Sequence, residues 1–223
     1  MGTLLVIVGV FAAAWVATVW LWKDPFTALY TEWEQHRLSG IYEKRFRSWH
    51  SDPHRRRLPQ QTALALLNRE ARRYRLVSKR GDPIGRIIVP RLGLNMILVN
   101  GTDESTLEKG PGRDLRTYMP GEGQLVYIAG HRTTFLAPFS NIDDLRAGDP
   151  ATISLPYATF RYRITHHIIV PADNLTVLRS RGVEELALQA CHPRFFATHR
   201  YVAYARPVWV RLRGRAPRYR LWS

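Results

Sequence analysis

Short β-type runs dominate this chain from Gly85 onward. Between residues 160 and 165, Phe, Tyr and Ile alternate with Arg, Arg and Thr, which is the two-residue period of a half-buried strand. Similar runs, bounded by Gly and Pro, cover residues 86–90, 94–99, 125–129, 151–155, 159–170, 186–190 and 201–212. About eight short strands with few helices predict a mainly β fold, a closed or nearly closed barrel.

A 20-residue run without charge, residues 3–22, precedes this region. It is long enough to span a bilayer as a helix, and Trp15, Trp20 and Trp22 lie towards its end, as aromatic residues do at membrane interfaces. We therefore expect a single-pass anchor over 1–22 in the cell membrane, with a cleaved signal peptide as the alternative. The Lys and Arg residues all follow the run, so the positive-inside rule alone would put the next domain in the cytoplasm.

The net charge of +15 comes from 33 Lys and Arg against 18 Asp and Glu. Residues 23–80 hold 14 basic and 6 acidic residues, and residues 206–220 hold six arginines and no acid. Such a surplus suits contact with nucleic acid, anionic lipid or anionic wall polymer. Helical spacing over 38–49 and 61–76, with a break at 51–53, predicts a basic helical stalk or linker over 23–80 and a globular domain over 81–223.

Cys191 is the single cysteine, so no intramolecular disulfide is possible. It ends the apolar run 186–190 and is followed by a polar turn, His192-Pro193-Arg194. A free cysteine is either a small buried hydrophobe or a nucleophile, and a nearby cation would favour the reactive thiolate. Both interpretations stay open on the residue alone.

Two further side chains stand beside predicted strand ends. His131 follows the run 125–130, and Arg200 lies nine residues after Cys191. The alternatives are a turn histidine and a surface arginine, and the residues competing for these roles are His166, His167, His192, His199 and Arg194. Thiol, imidazole and guanidinium at strand ends are the groups needed for acyl transfer through a thioester.

The sequence gives little support for metal binding, nucleotide binding or nucleic-acid binding. No Cys/His pair has zinc spacing, and the acidic pairs at 103–104 and 143–144 fit exposed loops better than a calcium site. No phosphate-binding glycine loop and no nucleic-acid-binding motif occurs. We therefore predict no metal, no cofactor and no nucleic-acid partner.

Three segments in this order resemble the sortases, membrane-anchored cysteine transpeptidases of bacterial surfaces. They are Ile87-Ile88-Val89-Pro90-Arg91-Leu92-Gly93 with its continuation to Gly110-Pro111-Gly112, then Ala129-Gly130-His131-Arg132-Thr133-Thr134, and Cys191-His192-Pro193 with Arg200-Tyr201. The motifs Gly-His-Arg-Thr-Thr and Cys-His-Pro are most similar to those of class E sortases.

This resemblance implies an eight-stranded sortase β-barrel as the catalytic domain over 81–223, facing outward from the cell. It implies that Cys191, His131 and Arg200 are the catalytic residues. Ala190 stands where the family usually has threonine, and residues 113–115 stand where class E commonly has a tyrosine that Tyr118 or Tyr127 would have to replace. Residues implied near the substrate are Ala190, Tyr127 and Asp114.

The implied partners are surface proteins with a sorting signal of the Leu-Ala-x-Thr-Gly or Leu-Pro-x-Thr-Gly kind, cut between Thr and Gly. A cell-wall precursor amine would accept the product, and the basic flanks would lie near membrane lipid.

Two alternatives remain beside this interpretation. One is another cysteine–histidine enzyme, a wall hydrolase or an L,D-transpeptidase, although the strand–cysteine–turn order fits neither well. The other is a membrane-tethered basic module that binds anionic wall polymer without catalysis.

Overall fold

A computed structural model describes residues 2–21, 25–49, 58–214 and 217–221. Its elements, in chain order, are α1 (Gly2–Leu21), α2 (Pro25–Ser48), α3 (Gln60–Val77), β1 (Pro83–Val89), β2 (Leu94–Asn100), α4 (Glu104–Leu107), β3 (Gly112–Arg113), β4 (Leu125–Ala129), β5 (Pro150–Ser154), β6 (Ala158–Pro171), β7 (Glu185–His192), β8 (His199–Leu212) and β9 (Arg218–Arg220). The predicted helix break at 51–53 lies outside the described residues.

Eight of the strands close into a barrel. Their order is β6-β5-β1-β2-β3-β4-β7-β8, and β8 pairs back onto β6, so the ring has no free edge. The short strand β9 is added along β8. Most neighbours are antiparallel, but β2 and β3 run parallel, and so do β4 and β7, with Ala129 beside Gln189. The predicted mainly β, eight-stranded barrel is confirmed.

The interior of the barrel follows from strand alternation. In β6, Phe160, Tyr162 and Ile164 are buried in the main core, while Arg161 and Arg163 point outward. The central strands β4 and β7 are covered on both faces. A second apolar cluster, with Tyr127, Ala187 and Val177 among its members, covers the outer face of these two strands. This outer face continues to the ends of β4 and β7.

The helices α2 and α3, which lie within the predicted basic helical stalk or linker over 23–80, pack on the barrel. Leu67 and Tyr74 of α3 belong to the main core, and the Tyr74 hydroxyl donates to the carbonyl of Ile84. Leu38 and Tyr42 of α2 form a separate cluster with residues of β2. Each helix carries a narrow apolar stripe between many charged residues, and burial of that stripe fixes the helix. The boundary at residue 80 itself stays a prediction.

Residues 3–21 of the uncharged N-terminal run are helical and lie in α1. Among the residues described, no helix is both long enough and apolar enough to cross a membrane. The predicted transmembrane anchor over 1–22 is therefore not supported.

Candidate active site

Cys191 lies near the end of β7, where the strand leaves the barrel wall. Alternation sends Leu188 and Ala190 into the main core and leaves Gln189 and Cys191 on the outer face. Cys191 is half-buried and free. A thiol in this position is accessible from outside, while its strand neighbours hold the backbone in place.

His131 reaches the same edge because β4 and β7 are parallel neighbours. The amide of Gly130 donates to the carbonyl of Gln189 at 3.0 Å, so the two chains leave the sheet side by side. A Cβ atom on Gly130 would lie 2.7 Å from the ring of Phe139, so this approach requires glycine. The carbonyl of His131 then accepts from the Phe139 amide, which turns the loop back.

The His131 ring is held without a polar anchor. Its Nε2 atom is buried and has no hydrogen-bond partner among the described residues. The ring of Phe135 lies 5.0 Å away, centroid to centroid. Burial lowers the pKa of His131 below its ordinary value, and the negative charges of Glu108 and Glu104 partly oppose this. An unpartnered imidazole nitrogen is available for proton transfer with a bound substrate.

Arg200 faces Cys191 across an antiparallel pair. The two residues are direct neighbours in the register of β7 and β8. Arg200 Nη1 donates to the carbonyls of Ala197 at 2.8 Å and His199 at 3.0 Å, which anchors the side chain. Its Nη2 and Nε groups make no hydrogen bond within the described part of the chain. They are therefore free to donate to an oxyanion.

The three predicted catalytic side chains line one cleft of about 310 Å³. Tyr127 and Asp114, predicted near the substrate, line it too. Ala190 does not, because its side chain is fully buried in the main core. The strand alternation that leaves Cys191 on the outer face turns Ala190 inward, and its contact with a substrate stays a prediction. Tyr118 also lies elsewhere, under the guanidinium of Arg75.

An ion pair closes the cleft at the Asp114 end. Arg116 Nη2 lies 2.7 Å from Asp114 Oδ2, and the Thr102 hydroxyl also donates to this carboxylate. Burial opposes ionisation of Asp114, but the hydrogen bonds from Arg116 and Thr102 outweigh it and hold the pKa below its ordinary value. This end of the cleft is therefore polar and charged at neutral pH.

The competing histidines are engaged elsewhere. His166 and His167 are exposed on β6 and stack on Tyr204 and Tyr201. His199 shares a hydrogen bond with its neighbour Thr198. Of the histidines weighed, only His131 lines the cleft with Cys191.

Arg132 is the residue that the sequence analysis missed. It is buried, and its Nη1 donates to the carbonyl of Cys191 at 3.2 Å and to Nδ1 of His192 at 2.9 Å. Its Nη2 lies 2.6 Å from a carboxylate oxygen of Asp143. Arg132 belongs to the Gly-His-Arg motif, but the sequence analysis assigned a role only to the histidine of that motif. Arg132 joins the loop after His131 to the backbone of Cys191.

No group of three or more His, Cys, Asp or Glu side chains in the described ranges could hold a metal ion. The cleft brings together a thiol, an imidazole and a guanidinium.

Comparison with known proteins identifies the fold and family. The Sortase domain family matches residues 87–208. Sortase D of Bacillus subtilis (strain 168) is 32% identical over 132 residues, which are 57% of this chain and 65% of that relative's length.

Solved structures agree with this. A Clostridium perfringens Sortase D5 transpeptidase has a TM-score of 0.63 at 22% identity and covers 78% of this chain and 98% of its own. Sortase E from Streptomyces avermitilis has a TM-score of 0.54 at 25% identity, over 60% of this chain and 93% of its own. Relatives of several classes match, so the predicted assignment to class E is not specifically supported. The match over residues 87–208 shows that the chain belongs to the sortase family, whose members are cysteine transpeptidases.

Proposed function

We propose that this chain cleaves the sorting signal of a surface protein between Thr and Gly and transfers the new carboxyl end to a cell-wall amine. The observation that carries the proposal is the meeting of Cys191, His131 and Arg200 in one cleft. The Nε2 atom of His131, buried and unpartnered in the described structure, supports its role in proton transfer. We place the reaction at the cell surface, where such substrates and wall precursors occur.

The first half of the reaction forms a thioester. The Cys191 thiolate attacks the carbonyl carbon of the signal's threonine, and the charge that develops on the carbonyl oxygen is stabilised by the free donors of Arg200. His131, as imidazolium, gives its proton to the glycine nitrogen as the carbon–nitrogen bond breaks. The glycine-bearing fragment then leaves as a free amine.

The second half reverses these roles. The acceptor amine attacks the thioester carbonyl while neutral His131 removes its proton, and the Cys191 thiolate is released. Water would take the place of the amine in a hydrolase. Peptides of the Leu-Ala-x-Thr-Gly and Leu-Pro-x-Thr-Gly kinds are the signals that we propose for the cleft.

Mass spectrometry of the full chain with each peptide, with and without a glycine amine, tests the proposal. We expect an acyl adduct on Cys191 that the amine converts into a ligated peptide, and no adduct with Cys191→Ala. Arg200→Lys should slow adduct formation about 100-fold or more, since it removes an oxyanion donor. Arg194→Lys, a change at an exposed arginine of the loop that leads into β8, is the matched control.

Three results would contradict parts of the proposal. Product that forms only with water would make the chain a hydrolase. A fast-reacting Cys191 thiol that accepts neither peptide would reject these signals. A sluggish thiol with no adduct would reject the catalytic assignment altogether.

A further inference from the structure

Four neighbouring strands of the sheet contain no acidic residue, and three of them, β6, β8 and β9, carry arginine. β5, β6, β8 and β9 contain neither Asp nor Glu. Six arginines lie on their shared outer face, which we call the arginine face: Arg161, Arg163, Arg206, Arg211, Arg218 and Arg220. All of them are exposed except Arg161, which is half-buried.

The strand register brings like charges directly opposite each other. Arg163 pairs with Arg206 across β6 and β8, and Arg211 pairs with Arg218 across β8 and β9. Directly opposed like charges destabilise a sheet. In between, Trp209 lies under the guanidinium of Arg218 at 4.6 Å.

The protein itself does not neutralise this charge. Within the described ranges, none of the six arginines forms an ion pair, and the side-chain bonds of Arg161 and Arg163 go to the uncharged oxygens of Thr152 and Gly148. The nearby carboxylate of Asp149 is already taken by Arg91. A face that costs folding free energy and has no internal partner suits an external anion.

We propose that the arginine face binds a linear phosphodiester polymer without bases, the chemistry of an anionic wall polymer. One guanidinium group can donate two parallel hydrogen bonds to the oxygens of a phosphate. Neighbouring strands lie about 4.8 Å apart, and they present these groups at a spacing that a flexible phosphodiester chain can follow. A lipid surface fits less well, because none of the exposed large hydrophobic residues in the described part of the chain lies among these arginines. A single-stranded nucleic acid would need exposed aromatic rings for stacking, and Trp209 is covered.

The arginine face is separate from the cleft. Arg200 lies opposite Cys191 at the start of β8, whereas the arginine face begins at Arg206 and extends to the other end of that strand. The two arginines are six residues apart along the strand, a distance of roughly 20 Å. The proposal therefore does not depend on the catalytic assignment, and cleavage of a short peptide does not need the arginine face.

The test is binding of fluorescent poly(glycerol phosphate) to the full chain, followed by anisotropy at several salt concentrations. The test variant is Arg206→Gln/Arg211→Gln/Arg218→Gln. The control variant, Arg47→Gln/Arg69→Gln/Arg72→Gln, removes the same charge from exposed positions on α2 and α3. We expect the test variant to weaken binding about tenfold or more and to reduce the slope of log K against log salt by about 2, while the control changes little.

The remaining outcomes each decide the matter. Equal loss in both variants would show that net charge alone binds the polymer. If the chain binds vesicles containing phosphatidylglycerol more tightly than the polymer, and the test variant loses this binding, the ligand of the arginine face is a membrane. The same result with oligothymidylate would make the ligand a nucleic acid. No binding by the unaltered chain would overturn the proposal. Thermal unfolding checks the fold, and we expect the test variant to melt no lower than the unaltered chain because it loses two like-charge pairs.

Discussion

At the scale of single residues, the surroundings of His131 determine the protonation of its ring. Burial lowers its pKa, while the carboxylates of Glu108 and Glu104 raise it. The neutral imidazole therefore predominates at pH 7, and the imidazolium that we propose as the proton donor to the leaving amine is a minority form that the two carboxylates support.

Replacing one of these carboxylates should shift this balance. We expect Glu108→Gln to move the pKa of His131 further down and to reduce the peptide cleavage rate at neutral pH, because less imidazolium is present. NMR titration of the His131 ring measures the first effect, and peptide turnover measures the second. Glu43→Gln, at an exposed position on α2, is the control. An upward shift of the pKa would contradict this account.

Arg132 gives a second prediction at this scale. Its contacts with the Cys191 carbonyl, His192 and Asp143 hold Cys191 and the loop after His131 together. Arg132→Gln should cost about 2–4 kcal/mol of unfolding free energy, since it leaves several charged or buried groups unpaired. As a positioning residue it should lower kcat more than it raises KM for the peptide.

The conservative replacement separates positioning from stability alone. Arg132→Lys keeps the charge but cannot reach both the carbonyl and Asp143 as a planar fork does, so we expect partial recovery of stability and little recovery of kcat. Denaturant titration and peptide kinetics measure these effects. Full recovery of kcat with lysine would mean that charge suffices and that the fork geometry has no role.

At the scale of elements, Glu184 fixes the loop before β4. Its carboxylate accepts from the amides of Gly121 and Gly123 and from the Tyr162 hydroxyl, all from a fully buried position. Burial raises its pKa from 4.5 to about 7, although these donors oppose the change. Between those two pH values the folded chain keeps a proton that the unfolded chain has released.

The free energy of unfolding should therefore fall as pH rises from about 4.5 to about 7. Glu184→Gln resembles the protonated acid and removes this dependence. The stability of the unaltered chain relative to this variant should decrease by an amount on the order of 3 kcal/mol across that range. Urea unfolding at several pH values provides the measurement, and identical pH profiles for both proteins would contradict the assigned pKa.

The attachment of α2 gives another prediction at the element scale. Gln35 accepts from the amide of Ile97 at 2.6 Å and donates to the carbonyls of Ile97 and Lys109, so one side chain pairs with the backbone of β2 as a strand would. Gln35→Ala should cost about 1–3 kcal/mol of unfolding free energy and speed hydrogen exchange in α2. Glu32→Ala, on an exposed position of the same helix, should do neither.

At the scale of the whole molecule, the sequence predicts what depends on local pattern and misses what depends on long-range pairing. The alternation in β6 and the strand-end positions of Cys191 and His131 can be recognised from residue order. The parallel pairing of β4 with β7, which brings those two residues together, involves segments about 60 residues apart and leaves no local signal.

The packing of the helices and the charge pairs of the arginine face also depend on long-range pairing that the sequence does not reveal. Many charged residues in α2 and α3 concealed the narrow stripes that pack on the barrel. The surplus of arginine after residue 206 was evident, but its opposition to Arg163 depends on the register of β6 with β8. The missed role of Arg132 likewise depends on a partner about 60 residues away.

The shared core of α3 and the barrel leads to a prediction for the whole chain. A fragment of residues 81–223 lacks Leu67, Ala71 and Tyr74, which are buried among strand residues in the main core. Loss of these side chains should cost roughly 5 kcal/mol, comparable to the entire stability of a domain this size. We expect this fragment to bind a hydrophobic dye and to unfold without a sharp transition, whereas residues 25–223 unfold cooperatively. If both fragments have the same denaturant midpoint, the barrel folds by itself and α3 contributes nothing to its stability.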